Sequence, residues 1–450
     1  MLFRLVQGFA AESGRRAILS AEDALTWDQL ARAGRELADS LKALSRERVG
    51  VLMRPTPVAY AVLAALDALG SDAFLIDGRL TADRAREIAE PLHLRALVTS
   101  YDPENPTGVL VTDVCPGGAG SGMSTVTLLT SGTTGNPKAV RHSWETLCRP
   151  VRKVASGQQQ HWLLTYRPHL YAGVQVALQC LTNGGKLVLA GDGDPEAVVS
   201  LMLAERVTHV SATPSYWRQI LLFAPESLLR QLALRQITLG GEVVDQHILD
   251  ALRRTFSGAR IAHIYATTEL GRGFSVTDGK AGFPRAYLDS QIDGGVELRI
   301  DDGELLIRSA NAMQGYDDRS AKEGRVVVQD AWVRTGDLVD VAGDRVYFTG
   351  RKAELINVGG NKVSPLAVER VVRDVAGVID SRAYGCRSSV AGQLVACDVV
   401  ASPGQDLQEL RQRIGTRTRQ ALGDYARPRI IHFVERVALT AAGKKERRAA

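Results

Sequence analysis

Thr130-Ser131-Gly132-Thr133-Thr134-Gly135-Asn136-Pro137-Lys138 is the stretch on which the reading of this chain turns. It follows the apolar run Val126–Leu129, which has the length and composition of a buried strand. Gly132 and Gly135 let a backbone turn tightly and come close to a ligand. Backbone N–H groups in such a turn form a concavity that binds anions. Thr130, Ser131, Thr133 and Thr134 add hydroxyl groups, and Lys138 adds a positive charge, so the string suits a polyphosphate. The spacing is not that of a G-x-x-x-x-G-K-[ST] loop. Pro137 stands where the second glycine belongs, and Ala139 follows Lys138.

Around this loop the chain alternates strand and helix patterns. Upstream, Val49–Met53, Ala73–Ile76 and Ala96–Thr99 read as strands, with an Ala/Leu-rich helix over Val58–Leu69. Downstream, strand signals recur at Trp162–Thr165, Lys186–Leu189, His209–Ser211, Gln236–Leu239 and Ile261–Ile264, with helical patterns between most of them. Such alternation predicts layered α/β architecture around largely parallel sheets. From Val296 short strands follow one another through Asp/Gly turns, as at Asp301-Asp302-Gly303, which is antiparallel chemistry. After Gly350 helix and strand alternate again, with a helix predicted near Pro365–Val375 and a domain boundary close to Arg351.

Composition narrows the function classes. A chain of 450 residues, 45% hydrophobic and 23% charged, is expected to be a soluble protein of several domains. The net charge of +5 suits an anionic small molecule. It is too evenly spread for nucleic acid, since Lys444, Lys445 and Arg447 are mixed with Glu446. No run of apolar residues is long enough to span a membrane. The N-terminal Leu2, Phe3, Leu5 and Val6 are followed too soon by Glu12, Arg15 and Arg16 for a secretory signal. The five scattered cysteines form no C-x-x-C pair and read as reduced thiols, so a cytoplasmic location is expected. The oligomeric state is not legible.

The nine-residue string resembles the signature of the adenylate-forming superfamily, which holds acyl-CoA synthetases, peptide-synthetase adenylation domains and firefly luciferase. Other segments resemble that family's motifs in the right order. Leu25-Thr26-Trp27-Asp28-Gln29-Leu30 is similar to an early L-T-Y-x-E-L, and Ala64–Gly70 with Leu75-Ile76-Asp77 to a second motif. Gly240-Gly241-Glu242 is similar to the segment along the adenine, and Tyr265-Ala266-Thr267-Thr268-Glu269 to Y-G-x-T-E. Thr335-Gly336-Asp337 resembles the ribose-binding T-G-D. Gly350-Arg351 with Gly360-Asn361-Lys362-Val363-Ser364-Pro365 resembles the domain junction, and Thr440-Ala441-Ala442-Gly443-Lys444 the T-x-x-G-K of a catalytic lysine.

The resemblance implies a fold, a reaction and a set of roles. The fold is a large N-terminal domain of layered α/β sheets with a small β-barrel-like part, over residues 1–350. A small mobile α+β lid domain carrying the lysine follows over 351–450. The reaction joins a small-molecule carboxylic acid to ATP as an acyl-adenylate with loss of pyrophosphate, then passes the acyl group to coenzyme A. Lys444 is the implied catalytic residue, with Thr268 and Glu269; Glu269 is the implied Mg²⁺ ligand. Thr130–Gly135 and Lys138 bind the ATP phosphates. Gly240, Gly241, Glu242, Tyr265, Ala266, Thr267 and Thr268 bind adenosine, with Tyr265 stacked on adenine. Asp337 takes the ribose hydroxyls, and Arg351 the ribose or α-phosphate. Gly359, Gly360, Asn361 and Lys362 line the thiol tunnel. The acyl pocket draws on His169, Tyr171, Gly173 and Tyr216.

Three departures from the family pattern stand out. Ala353 replaces the Asp or Lys usual at the hinge. Ala266 replaces a glycine beside the adenine. Arg167-Pro168-His169-Leu170-Tyr171-Ala172-Gly173 differs from P-x-x-H-x-x-G, so His169 is an uncertain counterpart of its histidine. These leave open transfer to a carrier-protein phosphopantetheine, which would make an acyl carrier protein a partner, or to an amine. A non-catalytic nucleotide-binding relative fits poorly, because Lys138, Glu269, Asp337 and Lys444 are all present.

Overall fold

The computed structural model describes residues 1–12, 14–99, 109–116, 120–130, 138–191, 193–292, 294–317, 327–328, 331–389, 391–440 and 443–447. Two sheets dominate the first three hundred of them. One has seven strands, ordered Gly315–Tyr316, Lys138–Ser143, Thr125–Thr130, Asp72–Asp77, Arg48–Met53, Ala96–Thr99 and Leu110–Asp113. The central four run parallel and the outer ones antiparallel. The other sheet has eight strands, with Arg260–Thr267, Gln236–Gly240, His209–Ala212, His161–Leu164 and Lys186–Leu189 parallel at its centre.

Burial explains why these strands read as unbroken apolar runs. One core lies between the sheets, where the helices Trp27–Ser40, Pro57–Ala68 and Tyr171–Thr182 pack against Val49, Leu75 and Leu128 on one side and Trp162 and Leu187 on the other. A second core covers the opposite face of the eight-stranded sheet with the helices Pro195–Ala204, Pro214–Phe223 and Gln246–Thr255. Parallel strands covered on both faces cannot alternate polar with apolar. The helix Pro57–Ala68 is apolar all round for the same reason, being buried along nearly its whole length.

Local chemistry sets the starts of these helices. The Leu25–Leu30 segment is a helix entry: Thr26 and Gln29 form a reciprocal capping box, and Trp27 and Leu30 drop into the core. Thr213 and Asp245 cap the helices Pro214–Phe223 and Gln246–Thr255 by accepting from Tyr216 N and Ile248 N. The antiparallel sheet anticipated from Val296 onward contains Val296–Asp301, Glu304–Ser309, Trp332–Ala342 and Arg345–Arg351. A last sheet and its own core occupy residues 356–433, built on the long hairpin Val378–Ser388/Gly392–Ala401 and the helices Pro365–Arg373 and Leu407–Leu422. Among the described residues no helix is long and apolar enough to cross a membrane.

Candidate active site

The phosphate-loop string leaves the seven-stranded sheet on Thr125–Thr130 and returns on its antiparallel neighbour Lys138–Ser143, with Thr130 paired to Lys138. Ser131 to Pro137 lie outside the described residues. The string therefore begins on one strand and ends on its antiparallel neighbour, unlike a G-x-x-x-x-G-K-[ST] site, which runs from a strand into a helix. The returning strand brings Lys138 toward the edge strand Gly315–Tyr316, where its Nζ lies 5.9 Å from the Tyr316 ring centroid. The Tyr316 hydroxyl is 3.4 Å from Glu269 Oε1. One tyrosine thus links the loop lysine to the carboxylate that ends Tyr265–Glu269. The backbone there is held by His142, whose Nε2 donates to the Thr268 carbonyl at 2.7 Å. Burial lowers the His142 pKa, which suits a neutral ring in that role.

Two carboxylate oxygens organise the next cluster. Tyr265 lies two residues before the end of the strand Arg260–Thr267. Its ring is stacked on Phe274 and Phe348, each 5.3 Å away between centroids, so its stacking surface is used by protein rings where the resemblance put it against adenine. Its hydroxyl donates to Asp337 Oδ2 at 2.6 Å, and Arg351 Nε donates to Oδ1 at 2.5 Å. Burial and then the Asp337 charge push the Tyr265 phenol well above its ordinary range, so it remains a donor. Arg351 Nη2 also donates to Oδ2 at 3.5 Å. Since a carboxylate offers about four acceptor sites, Asp337 keeps capacity for about one more donor.

The C-terminal tail closes over this cluster. Thr440 N donates to the Lys444 carbonyl at 2.7 Å. Thr213 Oγ1 donates to the Gly443 carbonyl at 2.8 Å, and Lys445 N donates to Glu242 Oε1 at 2.8 Å. A methyl group placed on Gly241 would sit 3.4 Å from Cε of Lys444. The lysine stem therefore runs over Gly241, although the residue retains exposed surface. Crowding by protein lowers the ammonium pKa, and Arg351 lowers it further, against Glu242, Asp337 and Glu354. Lys444, Arg351, Asp337, Tyr265, Glu242 and Gly241, spread over about two hundred positions, are brought together.

The acyl-pocket candidates divide. His169 is buried, its Nδ1 has no partner, and burial lowers its pKa to about 4, with Arg79 and Arg167 adding to the effect and Asp77 opposing it. The Tyr216 hydroxyl is likewise buried and unbonded, whereas the buried Tyr171 hydroxyl faces the Arg272 backbone. Gly173 has a packing reason: a methyl there would lie 2.2 Å from the Arg167 carbonyl oxygen, so only glycine lets the helix Tyr171–Thr182 seat against that backbone. Trp217 belongs to the core, edge-on to Phe256 at 5.6 Å.

Comparison with known proteins agrees with this geometry. The family model for the AMP-binding enzyme matches residues 121–317, and that for the AMP-binding enzyme C-terminal domain matches 367–444. The chain belongs to the adenylate-forming superfamily. A fatty acid–acyl-carrier-protein ligase of Mycobacterium marinum is 26% identical to this superfamily member, covering 94% of this chain and 91% of the relative. A feruloyl-CoA synthase of an Amycolatopsis species is 27% identical, covering 97% of each. Among solved structures, an anthranilate CoA ligase in complex with anthranoyl-AMP shares the fold with a TM-score of 0.80 at 19% identity, over 99% of this chain and 95% of the other. An amide bond synthetase from Marinactinospora thermotolerans gives 0.73 at 22%, over 99% and 98%.

Within this family member, Gly359 and Gly360 form the two-residue hairpin turn between Ile356–Val358 and Asn361–Val363, Asn361 and Lys362 begin the second strand, and all four are exposed. Both glycines have positive φ, 58° and 89°, and a methyl on either would meet nothing within 4 Å. The turn needs them for its conformation and leaves open space above the backbone. The sequence reading gave no sign of His142 or Tyr316, because a lone histidine and a lone tyrosine carry no motif.

Among the described residues no group of three metal-ligating side chains occurs. Mg²⁺ keeps waters and phosphate oxygens and takes only one or two protein carboxylates. Glu269 beside Lys138 and Tyr316 fits an ion carried by a triphosphate.

Proposed function

We propose that this chain is an AMP-forming acid–thiol ligase. It joins a carboxylic acid to the α-phosphate of ATP and then transfers the acyl group to the thiol of coenzyme A. The single observation that supports this most is the seating of Lys444 over Gly241 beside Arg351 and Asp337. In the first step a carboxylate oxygen attacks the α-phosphorus, an O–P bond forms, and the bond to pyrophosphate breaks. Two anions must meet, so the task is charge neutralisation with fixed geometry. Lys444 and Arg351 are like charges held close together, an arrangement that a polyanion stabilises. Asp337, fixed by Tyr265, takes the ribose end, the Thr130–Lys138 loop takes the outer phosphates, and Glu269 would hold the Mg²⁺ that they carry. That ion screens the phosphates' charge.

Residues 1–350 bind ATP and acid in this reading, and 351–450 form a lid. After adenylation the lid turns, withdraws Lys444 and brings the Gly359–Lys362 turn to the acyl group. The open backbone of that turn suits a pantetheine arm. The acid lies against His169, Tyr171 and Tyr216, and the unbonded buried polar atoms of His169 and Tyr216 are available to a substrate. Carrier-protein and amine acceptors are the competing readings, since relatives of both kinds share the sequence or fold. The test is pyrophosphate release across aromatic acids and fatty acids, with and without coenzyme A. Acid-dependent release with acyl-CoA formation is expected. Release without thioester would move the acceptor to a carrier protein or an amine, and no release with any acid would overturn the activity.

A further inference from the structure

Resting on that reading, we infer that Thr213 and Glu242 are positioning residues that dock the Lys444 loop, acting on adenylation through the lysine and not through the nucleotide. The two bonds that bracket Lys444 carry the argument. Immediately before it, the Gly443 carbonyl accepts from Thr213 Oγ1 at 2.8 Å. Immediately after it, Lys445 N donates to Glu242 Oε1 at 2.8 Å. Both anchors are themselves fixed to one helix start. Thr213 Oγ1 accepts from Tyr216 N at 3.1 Å, and Glu242 Oε2 accepts from Ser215 N at 3.0 Å. Each anchor therefore has one bond within the large part of the chain and one to the tail.

The surface between the anchors is shaped for a backbone to land on it. Gly241 and Gly443 have φ of +83° and +69°. Methyl groups on them would lie 3.5 and 3.7 Å from Thr213 Cγ2, so Thr213 is the wall against which both turn. Lys445 ties the loop to the C-terminal core. Its buried Nζ lies 2.7 Å from Asp380 Oδ1 and 2.6 Å from the Ser381 carbonyl. The resemblance assigned Glu242 to the adenine. In the structure both of its oxygens receive backbone N–H groups, one of them from the tail.

The anchors differ in how they fail. Glutamine at 242 has one oxygen for two N–H donors, and its NH₂ then faces the other donor. Valine at 213 keeps the shape but loses both bonds, whereas serine keeps both. A hydrogen bond to a charged group of this kind is worth on the order of tenfold or more in an equilibrium.

The experiment has two arms on the full chain. In the first, amide hydrogen exchange of the 438–446 segment is compared among wild type, Glu242→Gln, Thr213→Val and Thr213→Ser. About tenfold faster exchange in the first two variants, and wild-type exchange in Thr213→Ser, is expected. In the second, ATP–pyrophosphate exchange is measured with the acid that reacts fastest in the panel. Glu242→Gln should lower kcat about tenfold with an unchanged KM for ATP, and should add nothing in a Lys444→Ala background. Unaltered tail exchange, a raised KM for ATP with intact kcat, or an additive loss on Lys444→Ala would overturn the docking role. Absence of pyrophosphate exchange in the wild type would sink the proposed activity instead, and the first arm would still decide the docking.

Discussion

Asparagine at position 245 isolates the charge at the joint between the two parts of the chain. Asp245 Oδ1 caps the helix Gln246–Thr255 by accepting from Ile248 N at 3.1 Å. Its Oδ2 lies 2.6 Å from Arg218 Nη2 and 3.1 Å from Arg373 Nη2, the latter from the C-terminal part. Burial by itself would raise this carboxyl. Arg218 and Arg373 more than reverse that and bring its pKa to about 2 from an ordinary 3.8. At about 1.36 kcal/mol per pH unit, the fall corresponds to roughly 2 kcal/mol of stabilisation of the charged form. Asparagine caps as well as aspartate, so Asp245→Asn removes the charge and little else. A depressed folded pKa means that the contribution is complete above the unfolded value and disappears as the pH falls through the folded one. Urea unfolding followed by tryptophan fluorescence should show the variant weaker by about 2 kcal/mol at pH 7, with the gap closing from about pH 4 toward pH 2. Equal stability at pH 7 would refute the reasoning. A gap that persisted unchanged at pH 2 would do the same, because it would show the loss to be one of packing.

Other outcomes can be stated briefly. Lys444→Ala should slow pyrophosphate exchange about 100- to 1000-fold, while a chemically made adenylate is still passed to the acceptor within a few-fold of wild type in single turnovers. Tyr265→Phe deletes the donor to Asp337 and should raise the KM for ATP on the order of tenfold with little change in kcat. Gly173→Ala forces a methyl against the Arg167 carbonyl and should cost about 1–3 kcal/mol in unfolding measurements. His169, lowered to about 4 by burial, is neutral in the folded protein while the unfolded chain takes up a proton below its ordinary 6.5. Stability is therefore lost as the pH falls from 6.5 toward 4, and a His169→Gln variant should show a shallower loss over that window.

How much of this was legible depended on how local the cause was. The strand expected at Gln236–Leu239 is Gln236–Gly240, and the helix expected over Val58–Leu69 is Pro57–Ala68. In both, burial on all sides writes itself into the residues as an unbroken apolar run. The antiparallel edges Leu110–Asp113 and Gly271–Val276 went unread. The first is largely exposed and the second begins Gly-Arg-Gly, so neither carries a strand-like core pattern. The order of the motifs marked the site's residues. It could not show which residues hold them in place. Thr213 meets Gly443 across 230 positions, and Glu242 meets Lys445 across 203. Contacts of that range are made by the fold and leave no periodicity behind.

The uncharged Ala353 at the proposed hinge finds its account in the same geometry. On one side of Ala353, Lys352 Nζ binds Glu304 Oε2 at 2.8 Å, and Glu304 is also held by Arg334 and by the N–H of Gly336. On the other side, Glu354 pairs with Arg447 at 3.3 Å, and Arg447 reaches Glu369 in the C-terminal core. The chain thus changes allegiance at Ala353, and a rotation there, as proposed for the lid, leaves both pairs whole. The side-chain bonds that cross the joint include Arg373–Asp245, His247–Asp374, Thr213–Gly443, Glu242–Lys445 and the uncharged Ser364–Thr349, and a rotation would have to break them. Breaking a buried ion pair is costly chiefly when it strands a charge. Here Asp245 keeps Arg218, Arg373 keeps Glu369, and Glu242 keeps Ser215 N. His247 and Asp374 are exposed enough for water to replace their contact. Each charge that the movement separates retains a resident partner or solvent, so undocking the tail exchanges a set of shared bonds for unshared ones and leaves no charge buried alone.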